Sequence, residues 1–318
     1  MIGLEAVYVL MGLMLAGVAY VNLVDRKDAK RYNKTAFWGL WAVTFLFSSH
    51  LPDFVNGCLI IAMVLVSSIG GLGRGGPEAA TREEREASAR RWGNKLFIPA
   101  LLVPAVTLLG TTVFQGWRVH GVAVIDPSQV TVISLGLATV VALAVGMALL
   151  RAPAMAPVVE ARRLLDSVSW AAVLPQMLAA LGALFALAGV GNVVSTLVNR
   201  WIPLDTAFVV VVTYAVGMAL FTIVMGNAFA AFPVMTAGIG LPLIVTRFGG
   251  DPAIMAAIGM LSGYCGTLMT PMAANFNIVP AALLELPDEN AVIKVQIPTG
   301  IILLAVNILL MYYLVFRY

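Results

Sequence analysis

The chain has 318 residues, of which 61% are hydrophobic and only 11% charged, with a formal net charge of +3. Soluble domains carry roughly 25% charged residues, so the composition excludes a water-soluble fold and leaves no stretch over for a soluble catalytic domain. Apolar runs near the ~20 residues that cross a bilayer instead recur from end to end.

They fall at 4–22, 35–50, 54–70, 96–114, 130–150, 168–198, 206–225 and 228–246, with an interrupted run at 252–286 and a last one at 292–316. The expected fold is all-α and polytopic, with about eight transmembrane helices, one re-entrant helical hairpin over 206–246 and one broken transmembrane helix over 252–286. The first run lacks a basic leader and a small-residue cleavage site, so it reads as a retained span.

Orientation follows the loop cations. Arg26, Lys27, Lys30, Arg31 and Lys34 share one loop, and Arg74, Arg82, Arg85, Arg90, Arg91 and Lys95 share another. With alternating spans, Arg151, Arg162, Arg163 and Lys294 join the same face, and only Arg118, Arg200, Arg247 and Arg317 oppose them. The expected location is a bacterial inner membrane, with basic loops in the cytoplasm and both termini outside.

The polar stretch 71–95 is read as a cytoplasmic loop. Thr81 stands three before Glu84, a capping-box spacing that predicts a short charged helix through Arg91. Gly71, Gly73 and Gly76 match G-x-G-x-x-G, but they follow a membrane span rather than a strand, so a flexible exit from the bilayer is favoured over a dinucleotide site. Residues 153–167 interleave Val158, Val159, Leu164 and Leu165 with Arg162 and Arg163, which suits a helix along the cytoplasmic interface. The organisation read from these features is a helical scaffold over 1–150, an interfacial linker helix over 151–167 and a transport-type region over 168–318.

Cys58 and Cys265 lie in apolar runs and are read as small hydrophobes, with no metal cluster or disulfide framework expected. His50 and His120 fall in outer loops. Neither pairs with a nucleophile, so no enzyme activity is expected.

The turn between 206–225 and 228–246 reads Gly226-Asn227-Ala228-Phe229-Ala230-Ala231-Phe232-Pro233 and carries no charge. A cytoplasmic loop between two ordinary spans usually holds some Lys or Arg, which favours a hairpin whose tip stays inside protein. Two full spans remain open. In the next run Pro252 starts a helix, Gly263 and Gly266 are expected to loosen it, and Thr267, Thr270, Pro271, Asn275 and Asn277 follow. At ~1.5 Å per residue the first piece ends inside the bilayer, where broken helices survive only when something satisfies the freed backbone. Helix N-termini there attract anions, while unwound carbonyls and neutral oxygens suit sodium. No Asp, Glu, Lys, Arg or His lies in 206–246 or 252–284. Sodium is therefore preferred to a proton relay, with Glu285 at the edge.

The tip residues Gly226-Asn227-Ala228-Phe229-Ala230-Ala231, followed by Thr236-Ala237-Gly238-Ile239, resemble the hairpin signature of the ion transporter superfamily, which includes gluconate, citrate and dicarboxylate carriers. Cys265-Gly266-Thr267-Leu268 through Pro271 and Asn275 is similar to its unwound helix. Over its length the chain resembles a bacterial membrane family catalogued only as a domain of unknown function and grouped with that superfamily. The resemblance implies an elevator-like secondary transporter whose site draws on Gly226, Asn227, Ala228, Thr236, Gly266, Thr267, Thr270, Pro271, Asn275 and Asn277, with sodium at Asn227, Thr267 and Asn275. Ala228 and Phe229 depart from the pattern, which has a hydroxyl residue at the tip. One hairpin and one broken helix amount to half a carrier, so the resemblance also implies a heteromer with a companion membrane subunit. The implied cargo is a small organic anion such as a carboxylate, with pyroglutamate suggested by neighbouring peptidase genes in that family. No other cofactor and no nucleic-acid partner is expected. The other readings are a membrane-embedded enzyme and a non-transporting structural subunit of a membrane complex.

Overall fold

Eight helices are long and apolar enough to cross a membrane in a computed structural model that describes residues 2–73, 81–113, 118–119, 122–274, 276–284 and 286–317. The chain is an all-α, multi-pass membrane protein. Among the described residues one short antiparallel pair, β1 (Arg118–Val119) with β2 (Val122–Ala123), stands beside the helices. Large apolar side chains such as Phe54 and Ile69 are more than four-fifths exposed. A bilayer covers such surfaces, whereas water would not tolerate them contiguously. Arg74, Gly76, His120, Asn275 and Glu285, all named above, lie outside the described residues.

Two compact units divide at Ser169 and Trp170. The first holds α1 (Leu4–Val24), α2 (Arg31–Phe47), α3 (Asp53–Gly70), α4 (Arg82–Trp92), α5 (Phe97–Val113), α6 (Val130–Leu150) and α7 (Ala156–Val168). Helix α4 carries both halves of its capping box: the Thr81 hydroxyl accepts from the Glu84 N–H, and the Glu84 carboxylate accepts from the Thr81 N–H. The end of α3 is closed by Lys30, whose Nζ donates to the Gly70 carbonyl at 2.7 Å, and by Asn33, which donates to Gly71 at 3.2 Å. Cations and amides at a helix C-terminus satisfy its last carbonyls in this way.

Helix α7 is amphipathic, with Arg162 and Asp166 turned inward. Arg162 is 5% exposed and Asp166 2%, while Val159 and Leu164 on other faces are 39% and 42% exposed. Arg162 donates from Nε to Asn22 Oδ1 and from a terminal nitrogen to Asp25, both at 2.8 Å. Asp166 accepts from Trp38 Nε1 at 2.8 Å and lies 3.1 Å from Lys34 Nζ, which also pairs with Asp28 at 2.7 Å. The Arg162 guanidinium and the Lys27 N–H hold the Asp25 carboxyl below its ordinary range. At Asp28 burial pushes the other way, and the Lys34 ammonium and Lys30 N–H outweigh it. Buried charges persist only when paired and hydrogen-bonded, so this network fixes α7 against α1 and α2. The helix expected along the interface thus presents Arg162 and Asp166 to protein, while Glu160 and Arg163 pair at its surface.

The second unit holds α8 (Leu174–Leu187), α9 (Val190–Trp201), α10 (Ala207–Met225), α11 (Ala228–Met235), a π-helix over Thr236–Arg247, α12 (Pro252–Thr267), α13 (Ile278–Leu283) and α14 (Ala291–Val315). The run expected as one span over 168–198 is divided at Gly189, which adopts φ 71 and lets α9 set off anew. The core lies around α10, where Val211, Tyr214, Met218 and Thr222 recur at helical spacing against Ile239, Met255 and Met311. Gly259, Gly263 and Gly266 bring α12 onto α10: a Cβ on them would strike Tyr214, Met218 and the Ala219 carbonyl respectively. Small residues at such spacing allow close helix approach in membranes. The sequence led to the expectation that Gly263 and Gly266 loosen α12; instead the helix runs through both to Thr267, because they serve close packing.

Candidate functional site at the hairpin tip

Helix α10 ends at Gly226, whose φ of 75 is the left-handed conformation that glycine accepts without strain, and α11 starts two residues later. Asn227 caps α11, its Oδ1 accepting the Phe229 N–H at 2.7 Å, a favoured role for asparagine at a helix start. The two arms of this hairpin, Ala207–Met225 and Ala228–Arg247, are each long enough to cross a membrane.

The tip meets the interrupted helix. After α12, residues 268–274 and 276–277 form no regular helix before α13 begins. A Cβ on Gly226 would lie 2.6 Å from the Met272 carbonyl oxygen. Thr270 donates its hydroxyl to the Ile223 carbonyl at 2.9 Å, which ties the interruption to the last turn of α10. Asn277 is fully buried and donates its amide to the carbonyls of Thr267 at 2.8 Å and Thr270 at 2.6 Å. Thr267 turns its own hydroxyl onto the Tyr264 carbonyl at 2.6 Å. These bonds satisfy carbonyls that the end of α12 would leave open.

Between tip and interruption lies a partly open hollow lined by Leu174, Pro175, Leu178, Gly226, Asn227, Met272, Ala273, Ala274 and Phe276. Its free volume of about 20 Å³ is room for a water-sized guest. Its walls are apolar side chains and main chain, with Asn227 the polar side chain among them.

The residues named from sequence divide into groups. Gly226 and Asn227 line the hollow, and Thr267, Thr270 and Asn277 form the hydrogen-bonded backing just described. Ala228 is buried against the Gly263 side of α12, and Gly266 packs on α10. Thr236 sits deeper in the hairpin, 3.1 Å from the Tyr214 hydroxyl, and Pro271 is exposed. Asn275 falls outside the described residues.

Among the described residues of the second unit, three buried oxygens lack a hydrogen-bond partner: Asn277 Oδ1, Thr222 Oγ1 and Gln296 Oε1. Unpaired buried polar atoms are uncommon and mark places where another group can bind. Thr222 and Gln296 escaped the reading of the sequence. The one signal was a polar residue inside an apolar run, Thr222 standing four before Gly226. Nothing in the sequence pointed to Leu174, Pro175 and Leu178 as the facing wall. Among the described residues no three His, Cys, Asp or Glu gather as metal ligands.

Residues 5–316 match the model of a family described as Protein of unknown function (DUF979). The chain belongs to this DUF979 family. No curated protein and no solved structure matches it. In this DUF979 chain the match runs through both compact units and takes in the hairpin and the interruption.

Proposed function

We propose that this protein is a subunit of a secondary active transporter for a small organic anion, a carboxylate, in which the hairpin tip and the interrupted helix form one wall of the binding site. The observation that carries the reading is the meeting of Gly226 and Asn227, which join two spans of membrane length, with residues 272–274 at one hollow. An interrupted backbone within hydrocarbon needs a protein, ion or solute partner. The N-terminus of α11 points a positive dipole end at the tip, which favours an anion there without a buried Lys or Arg.

Sodium is the coupling ion in this reading. Asn277 Oδ1 and Thr222 Oγ1 are neutral oxygens of the kind that replace sodium's hydration shell, and they join Asn227, Thr267 and Asn275 as ligand candidates. The resemblance to the ion transporter superfamily adds an elevator-like movement and a companion membrane subunit. The basic loops support an orientation with both termini outside a bacterial inner membrane. Pyroglutamate is the first cargo to try.

The test is uptake of labelled small carboxylates by membranes holding the chain and its companion, for the parent and for Asn227→Ala and Asn275→Ala. Both variants should insert normally and lose uptake. Parent-level uptake by both would refute the site.

A further inference from the structure

We propose that the basic end of the α5–α6 hairpin binds the headgroup of an anionic phospholipid of the bilayer that the chain spans. The surface lies within the first unit, so the inference does not depend on the transport reading. Helices α5 and α6 run antiparallel, with Gly110 packed on Ser134 and Gly146 on Pro99. That register puts Arg151, the residue after α6, level with the 3-10 turn Gly93–Leu96 that leads into α5. Arg90 and Arg91 close α4 just before this turn, and Lys95 stands in it. Arg91, Lys95 and Arg151 are exposed, and they come together from the two strokes of one hairpin.

Their charge is not neutralised by the protein. Residues 87–125 and 127–159 contain no Asp or Glu, and the acid between them, Asp126, lies in the connection at the far end of the hairpin. Arg91, Lys95 and Arg151 make no ion pair among the described residues. Arg151 adds a backbone observation. It caps α6 in the left-handed conformation, with φ 52, at a position where glycine is the usual residue. An exposed arginine there accepts backbone strain while its side chain packs nothing, which is the mark of a residue kept for its charge.

The surroundings select a lipid. Residues 96–113 carry no charge, and Phe97 and Leu101, which follow Lys95, are 63% and 65% exposed, with Leu150 beside Arg151 at 42%. The cations therefore stand where exposed apolar surface ends, the level of the headgroups. Arginine and lysine lay their stems on such surface and carry their charge to its edge, and the half-buried Trp92 is the aromatic type that collects there. A phospholipid offers a phosphate to the cations and acyl chains to the apolar residues, whereas a free anion or a soluble acidic partner engages the cations alone. A zwitterionic headgroup brings its own ammonium to the same level, so an anionic one is the complement.

The experiment is native mass spectrometry of the purified full chain, released from micelles doped with phosphatidylglycerol or phosphatidylcholine. The parent should retain phosphatidylglycerol and shed phosphatidylcholine. Arg91→Gln with Lys95→Gln and Arg151→Gln should weaken that retention by about tenfold or more, since each cation beside anionic lipid is worth about fivefold. Arg118→Gln with Arg200→Gln and Arg247→Gln removes as much charge from the face opposed to the basic loops and should leave retention unchanged. Arg151→Gly alone should retain less phosphatidylglycerol and yet melt no lower than the parent in phosphatidylcholine, because glycine accepts the backbone that arginine strains. If circular dichroism shows the first triple variant misfolded, Lys95→Gln and Arg151→Gln singly carry the test, each with about a fivefold loss. Equal retention of the two lipids by the parent, or equal loss in the two triple variants, would overturn the proposal. So would thermal stabilisation of the parent by inorganic phosphate as large as that by phosphatidylglycerol, since a free anion would then suffice.

Discussion

Gly226 stands directly against the main chain of Met272, with φ 75 and with a would-be Cβ 2.6 Å from the Met272 carbonyl oxygen. The end of one helix and the interruption of another are therefore in contact through backbone, with no side chain between them. Gly226→Ala should lower stability by about 2–4 kcal/mol, because left-handed strain and a clash with rigid backbone add. Gly249 has φ 69 and open space around its Cα, so Gly249→Ala carries the strain alone, about 1–2 kcal/mol. Thermal unfolding in detergent compares the two, and equal losses would contradict the contact.

Asn277 holds the interruption closed. Asn277→Ala removes the donors to the Thr267 and Thr270 carbonyls, and each buried acceptor left open costs about 1–3 kcal/mol. Amide hydrogen exchange over 268–277 should accelerate at least tenfold, with α10 unchanged. Unaltered exchange would mean that other bonds carry the segment.

The charges on α7 make a sharper case. Arg162→Met takes from Asp25 its cation and leaves Asp166 to Lys34, and breaking a buried pair from one side costs about 3–5 kcal/mol. Arg163 pairs with Glu160 at the surface, and such pairs are worth about 0–1 kcal/mol. Arg163→Met should therefore leave the unfolding temperature nearly unchanged where Arg162→Met lowers it strongly.

The same network sets a pH dependence. Asp25 and Asp28 are held below their ordinary value of 3.8 in the folded protein. Their stabilising contribution is complete above that value and is lost as pH falls through the lower folded values. Asp25→Asn with Asp28→Asn should thus be less stable than the parent at pH 7 and at pH 5, and the gap should close below about pH 4. A gap that stays constant down to about pH 3 would show that the carboxylate charges contribute nothing.

The spans were legible because crossing a bilayer demands length and greasiness, which any window of sequence displays. The tip was legible for a local reason: Gly226 and Asn227 are the residue types that end one helix and cap the next. The α7 network was not. Counting loop cations assigns Arg162 and Lys34 to the cytoplasmic face, yet both are buried, and their partners Asn22, Asp25 and Asp166 come from elements far apart in the chain. Glycine is equally ambiguous in sequence. Gly189 ends a helix, whereas Gly263 and Gly266 sit inside one and serve close packing. The wall formed by Leu174, Pro175 and Leu178 has no chemistry that separates it from any other apolar stretch.

The central claim is that the tip and the interruption hold a small carboxylate together with sodium. Its most direct measurement is uptake of labelled pyroglutamate and other small carboxylates into proteoliposomes that hold the chain and the proposed companion subunit, with sodium or choline outside. Concentrative uptake driven by the sodium gradient and abolished by Asn227→Ala is the predicted result. Absence of uptake for every carboxylate in a well-inserted preparation, or uptake indifferent to Asn227, would contradict it.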